Sequence, residues 1–587
     1  MADEPVAAPP RRRRRWPWLV AGGVMLAMAG LIALFAFDAW RLQGAADDLI
    51  AHAGGARDAL EARDPAQLRA EVSGAEEAAL AFDDATHGPH WWVASQVPWV
   101  KDQAVPLMTA GAAVRAVAED ALRPLAELDD LDVLEAPPIE DGRIDPFVLE
   151  EARPALEQAY ATLSAQGEVL AAVDLSGTDP RLGAQYEQLE EQLATLADLV
   201  DGARVTAELL PGLLGGEGER SYLVMVQNNA EPRTTGGLPG AIIELEVDDG
   251  RMTMGRQIAA RRLIPDEGRA TITEDEERIF SERMAEFPHD ANFTPEFPRT
   301  AEIMSDFWEL EYGDRPDGVV SIDPVALGWM LEGAPPLETG EFTIESDNLA
   351  ATMLNHAYFR YDDPNAQDAF FARTSGELFG RIVSGEAATL SGLERAIDAR
   401  RFLVWSADAG EQELLAETPI AGAFLEDEGD LGVFLNDGSG SKIGYYVRTR
   451  VDVTEYVCTD GSLVGEEVAV TLSHEFDGKV KDLPDYVSGG GVYVPEGVFE
   501  ANVVVYPAIG TTLVGMLEDG VESTAVGDVH DGREMSQKRV SLEPGESVTL
   551  TYQIRASEDG LVPPGVILTP GPHADQITRA AEPAEGC

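Results

Sequence analysis

Residues 222 to 247 read YLVMVQNNAEPRTTGGLPGAIIELEV, and the fold of the chain turns on how this stretch is divided. The apolar run Tyr222-Leu223-Val224-Met225-Val226 has the length and side chains of a buried strand. Alternation resumes at Ala241-Ile242-Ile243-Glu244-Leu245-Glu246-Val247, so the expectation is strand, polar loop, strand. The intervening Gln227-Asn228-Asn229-Ala230-Glu231-Pro232-Arg233-Thr234-Thr235-Gly236-Gly237 holds two Asn amides, a carboxylate, a guanidinium and a diglycine. Those groups suit an anionic or hydroxylated ligand, taken directly or through a divalent cation. A loop that satisfies its own backbone through Asn and uses glycine for positive φ is the plainer alternative.

The same stretch resembles the signature of a bacterial envelope family known as domain of unknown function 4012, in which a strand runs into N-N-x-E-x-R-x-x-G-G. Further blocks are similar to later parts of that family, in order: Phe287 to Glu309, Pro316 to Leu331, Thr343 to Leu349 and Phe434 to Val447. Together they span most of residues 218 to 450. The resemblance brings no known activity with it.

Outward from this core, 587 residues imply roughly three or four domains. Hydrophobic residues at 44% are enough for sizeable cores. With 105 acidic and 43 basic residues the formal net charge is −62, which disfavours nucleic acid as a partner. Residues 1 to 41 stand apart at +3, with six Arg against Asp3, Glu4 and Asp38. There Arg11 to Arg15 precede an apolar span from Trp16 to Phe37, read as an uncleaved transmembrane signal anchor with a cytoplasmic N-terminus and an extracytoplasmic remainder. A cleaved signal peptide is the competing reading. The two cysteines, Cys458 and Cys587, permit one disulfide in an oxidising compartment or two free thiols.

The expected fold class is multidomain α+β. A cytoplasmic tail (1–15) and anchor (16–37) precede a helical stalk bundle (41–210), an α/β core (218–435), a β-sandwich of immunoglobulin-like type (440–565) and a flexible tail (570–587). Leu182, Tyr186, Leu189, Leu193, Leu196 and Val200 recur at helical spacing. Breaks are expected at Pro89, around Pro98, at Ala136-Pro137-Pro138 and at Thr178-Asp179-Pro180. His87 and His90 flank a Gly-Pro turn without further clear ligands, so packing is preferred to metal binding there. Asn436 to Lys442 begins like a calcium loop but lacks the distal glutamate, and reads as a tight connection. No G-x-S-x-G, H-E-x-x-H or G-x-x-x-x-G-K-[ST] run occurs.

The central domain also resembles, more remotely, the LytR-CpsA-Psr transferases, which attach lipid-pyrophosphate-linked glycopolymers to the cell wall. That resemblance implies phosphoryl transfer. Arg233 would clamp diphosphate oxygens, and Glu231 with Asp290 would hold Mg2+. Asn228, Asn229 and Asn292 would orient oxygens, Gly236 and Gly237 would let backbone approach the ligand, and Arg261 with Arg262 would assist. The plainer alternatives are a surface ion pair of Arg261-Arg262 with Asp266 and Glu267, and a helix-capping loop at Asp290-Ala291-Asn292 with Thr294 and Pro295 at the start of the helix. The transferases' serine-isoleucine-proline-arginine-aspartate run is missing. The two expected functions are therefore a factor in envelope or surface-glycopolymer assembly that binds a pyrophosphate-linked glycan lipid, and a non-catalytic scaffold for a wall saccharide or protein.

Overall fold

The computed structural model describes residues 16–61, 64–128, 139–140, 142–384, 389–425, 430–459, 461–557, 561–574 and 576–584. The chain divides into two compact units, one of residues 1–135 and 149–208 and the other of residues 136–148 and 209–587.

The first unit is helical, with helices Trp16–Glu61, Pro65–Thr86, Pro89–Ala94, Lys101–Val117 and Arg153–Ala171, and the body of Pro180–Leu213. Its breaks have local causes. Asp64 caps the second helix by accepting from the amides of Ala66 and Gln67, and Pro89 occupies the first turn of the third. Leu156, Ala159, Leu163 and Leu170 are buried along one face of the fifth. Tyr186, Leu193 and Val200 are buried and Leu182, Leu189 and Leu196 half-buried, which places the seam read from the sequence inside this unit.

The expected anchor over 16–37 is corrected here. The helix that begins at Trp16 continues without a break to Glu61, and among the described residues no helix is long and apolar enough to cross a membrane. At the end of the apolar run, Phe35 packs edge-on against His90 and Trp91 at 5.0 and 5.1 Å. Buried Asp38 accepts from His90 Nε2 at 2.5 Å and from Trp91 Nε1 at 3.2 Å. His90 is thereby occupied with a structural bond, and His87 Nδ1 lies 2.7 Å from Asp83 Oδ1. Among the described residues the fold class is α+β with no membrane-spanning helix. Arg11 to Arg15 lie outside the described residues.

The second unit contains a seven-stranded sheet built from β1 (Ile139–Glu140), β2 (Arg143–Ile144), β3 (Arg220–Arg233), β4 (Gly236–Asp248), β5 (Arg251–Ala259), β6 (Gly318–Ile322) and, after the small ribbon β7 (Leu337–Glu338) and β8 (Thr343–Ile344), β9 (Phe402–Ser406). Its order is β1-β2-β5-β4-β3-β6-β9, with β3 and β6 parallel and the other pairs antiparallel. The continuous apolar run of β3 follows from burial on both faces. Tyr222 and Val224 enter one core with Leu327, Met353 and Phe370, while Leu223 and Met225 enter another with Phe297, Met304 and Phe307. The edge ribbon β1–β2 comes from the middle of the region read as purely helical. It is received at Gly250, where φ is 74° and a Cβ would stand 1.6 Å from the Ile144 carbonyl oxygen.

A β-sandwich follows. Strands β10 (Asp430–Asp437), β11 (Val447–Val457), β12 (Leu463–His474), β13 (Phe499–Tyr506), β14 (Thr511–Glu518), β15 (Val521–Glu522), β16 (Val526–His530), β17 (Arg533–Leu542), β18 (Ser547–Ala556), β19 (Gly565–Leu568) and β20 (Gln576–Pro583) form two sheets. Their orders are β16-β17-β13-β10-β19 and β15-β14-β18-β12-β11-β20. Val433, Val503 and Val540 from one sheet and Val451, Val470 and Leu550 from the other share one core. The tail expected to be flexible is instead β20, paired in parallel with β11 from Gln576 to Pro583. Its pairing partner, rather than its own sparse apolar content, orders it.

Candidate functional site

The stretch expected to be a polar loop is a hairpin. β3 runs on to Arg233, β4 starts at Gly236, and the ladder is interrupted between Asn228 and Pro232 by a bulge. Strand formation was masked because the alternation here is between polar side chains with dedicated partners. A Cβ on Gly237 would lie 2.2 Å from the Asn228 carbonyl, and one on Gly236, at φ 138°, would lie 2.3 Å from Gln227 Oε1. The diglycine is therefore a matter of close packing at the tip.

The charged residues of the hairpin are buried and paired. Glu231 Oε2 is 2.7 Å from Lys442 Nζ, both side chains being over nine-tenths buried. Arg233 reaches Asp290 Oδ1 at 3.1 Å, donates to the Pro232 carbonyl at 3.0 Å and lies over the Phe293 ring at 4.9 Å. The other oxygen of Asp290 takes Arg283 at 2.8 Å. Asn292 Nδ2 donates to the Gly237 carbonyl at 2.8 Å, and Thr234 donates to the Asn292 carbonyl at 2.9 Å. Asn229 Nδ2 bridges Asp323 at 3.0 Å and the Pro570 carbonyl at 2.9 Å, while Asp323 also accepts from Arg401 at 2.6 Å. Asp437 accepts from Ser439 at 2.6 Å and the Gly440 amide at 2.8 Å, closing the turn expected over 436–442. Burial, with the charge of Glu231 adding to it, pushes the Asp437 carboxyl up to about 6.

The proposed magnesium ligands do not fit the ion in this arrangement. Lys442 neutralises Glu231, and Arg233 and Arg283 neutralise Asp290. Among the described residues no group of three or more His, Cys, Asp or Glu is placed to hold a metal.

Beside the hairpin opens a pocket of about 590 Å³. Asn228 is the signature residue that faces it, with Nδ2 donating to Tyr358 Oη at 2.8 Å. Arg261 and Arg262, exposed on a short 3₁₀ turn after β5, line it together with His289 and Lys442. Val226, Leu238, Ile258, Leu354 and Phe371 form its apolar part. Lys442 Nζ lies 6.0 Å from the Tyr358 ring and 5.9 Å from the Tyr486 ring, and those two rings are nearly parallel. Burial above all depresses the pKa of His289, the cations Arg233 and Lys442 adding to the effect while Asp290 and Glu231 oppose it. The described lining includes no Asp or Glu.

Of the residues singled out in the sequence, Asn228, Arg261 and Arg262 thus meet at the pocket. Glu231, Arg233, Asp290, Asn229, Asn292, Gly236 and Gly237 form the buried support behind it. Lys442, Tyr358 and Tyr486 were missed. Lys442 carried one available signal, being one of only five lysines in the chain.

The molecule is thus an α+β protein in which a pocket beside the hairpin is lined by two exposed arginines and an apolar wall, with no carboxylate among the described lining residues. Residues 217–358 match the family described as protein of unknown function (DUF4012). The matched range contains the hairpin and three of the four later blocks, and Phe434 to Val447 lies beyond it. No curated protein and no solved structure matches the chain.

Proposed function

We propose that this pocket binds an anionic amphiphile of the pyrophosphate-linked glycan-lipid class, and that the protein serves cell-envelope or surface-glycopolymer assembly outside the cytoplasm. One observation carries the reading. In a chain with 105 acidic residues against 43 basic ones, the described lining of the pocket holds the exposed Arg261 and Arg262, with Lys442 paired to Glu231 behind them, and no carboxylate, next to an apolar wall. Guanidinium groups at the rim would take phosphate oxygens through charge-assisted hydrogen bonds, and the apolar part would take the first units of the lipid. A binding role without phosphoryl transfer is the stronger form of the proposal, because Glu231, Arg233 and Asp290 are already neutralised inside the protein.

The test is calorimetric titration of the protein with a short polyprenyl pyrophosphate, with and without magnesium, against the matching uncharged prenol. Binding of the pyrophosphate that weakens about tenfold or more in the exposed-site variant Arg261→Ala/Arg262→Ala supports the reading, on the scale of one lost charge-assisted bond. Equal affinity for the prenol, or an affinity indifferent to the double substitution, overturns it.

A further inference from the structure

At the far end of the sandwich two glutamates point into the same interior. Glu455 on β11 and Glu466 on β12 are direct partners across the antiparallel ladder, which places their Cβ atoms about 5 Å apart. Both follow the inward alternation of their strands, after Val451 and Val453 on β11 and before Val468 and Val470 on β12. Glu466 is 2% exposed, and neither of its carboxylate oxygens has a hydrogen-bond partner among the described residues. Its neighbour on the other side, Ile554 of β18, is apolar. Among the described residues a single cation arrives: Arg579 of β20 stands 3.0 Å from Glu455 Oε1 and also donates to the Pro564 carbonyl. The charged groups acting on Glu466 are Glu455 and Arg579. Two buried carboxylates therefore share one cation, which itself belongs to the last strand of the described chain.

We propose that Glu455 and Glu466 form a proton-holding pair: with one proton between them the end of the sandwich closes and β20 stays locked on β11, and loss of that proton loosens this end. Like charges opposed on neighbouring strands repel, and a buried carboxylate without donors is tolerated chiefly in its neutral form. Burial, reinforced by Glu455 and only partly offset by Arg579, pushes Glu466 up to about 7, whereas an exposed glutamate titrates near 4.3. Between those values the closed state holds a proton that the opened state releases. Stability of this end accordingly falls as pH rises from about 4.5 to about 7, by a factor of about ten in the opening equilibrium per pH unit, and levels off above.

Hydrogen exchange of the full chain, corrected for the intrinsic rate at each pH, tests this at β12 and β20. In the wild type, protection of these strands is expected to be at least tenfold greater at pH 5.5 than at pH 7.5. Glu466→Gln, which mimics the protonated acid, is expected to abolish the difference and to protect β20 better than wild type at pH 7.5. Glu455→Gln, which removes the repulsion, is expected to reduce the difference. A pH dependence unchanged by Glu466→Gln overturns the proposal. So does equal protection at the two pH values in the wild type, whatever the variants do. Asp437 and the buried histidines titrate in both proteins and cancel in the comparison.

Discussion

Glu231 and Lys442 show how a residue conspicuous in sequence acquires a different task in the fold. With both side chains over nine-tenths buried and 2.7 Å apart, each is chiefly the neutraliser of the other. Removing one partner leaves a buried charge, which costs about 3–5 kcal/mol, whereas replacing both with apolar or neutral groups of similar size costs far less. Glu231→Gln and Lys442→Met are each expected to lower the thermal unfolding temperature, and the double variant to recover much of the loss. Additive losses in that cycle would show that the pair is not coupled. Gly237→Ala tests the hairpin tip. Its Cβ would meet backbone at 2.2 Å, and displacing backbone in a packed turn is expected to cost on the order of 1–3 kcal/mol, measured by denaturant unfolding. At this scale the sequence showed which residues were unusual. It did not show which of them face solvent, because Asn228 and Asn229 are adjacent yet one reaches the pocket while the other is buried against Asp323 and Pro570.

Among the elements, β20 is the one whose existence depends most on its neighbour. All eight of its residues are exposed, and its register with β11 runs from Arg450↔Gln576 to Val457↔Pro583. Deleting residues 575–587 would leave the edge of β11 unpaired, and exposed edges promote association. The truncated protein is expected to unfold at lower temperature and to elute as larger species in size-exclusion chromatography. A monodisperse truncation of unchanged stability would assign β20 no structural role. The same strand ends with the Ala584 amide donating to the Val457 carbonyl at 2.9 Å, beside Cys458. Cys587 lies outside the described residues, and we keep the Cys458–Cys587 link as a proposal. A non-reducing digest is expected to contain the two cysteine peptides joined, and recovery of both peptides separately would dismiss the link. Strands such as Tyr222–Val226 and Ala501–Tyr506 were legible because their own apolar side chains define them. β1, β2 and β20 were not, since short or polar strands are selected by a partner that sequence periodicity does not record.

Across the whole molecule, the large acidic excess and the local reversal of charge at the pocket belong together. A surface of this sign repels polyanions at long range, so a duplex-DNA mobility assay at low salt is expected to show no shift. The short anionic amphiphile proposed as ligand would meet Arg261 and Arg262, beside which the described lining holds no carboxylate. Composition, the helical seam from Leu182 to Val200, the principal strands and the family signature were determined by the sequence alone, because each is a local pattern set by side-chain size, polarity and spacing. Only the tertiary structure decided that the polar stretch is a paired hairpin with its charges internally satisfied, and that the N-terminal apolar run continues into a packed helix. It likewise decided that Arg261, Arg262, His289 and Lys442 converge on one cleft. These are properties of residues far apart in the chain, and burial, which sets whether a carboxylate meets a ligand or a lysine, is created only when the chain folds around them.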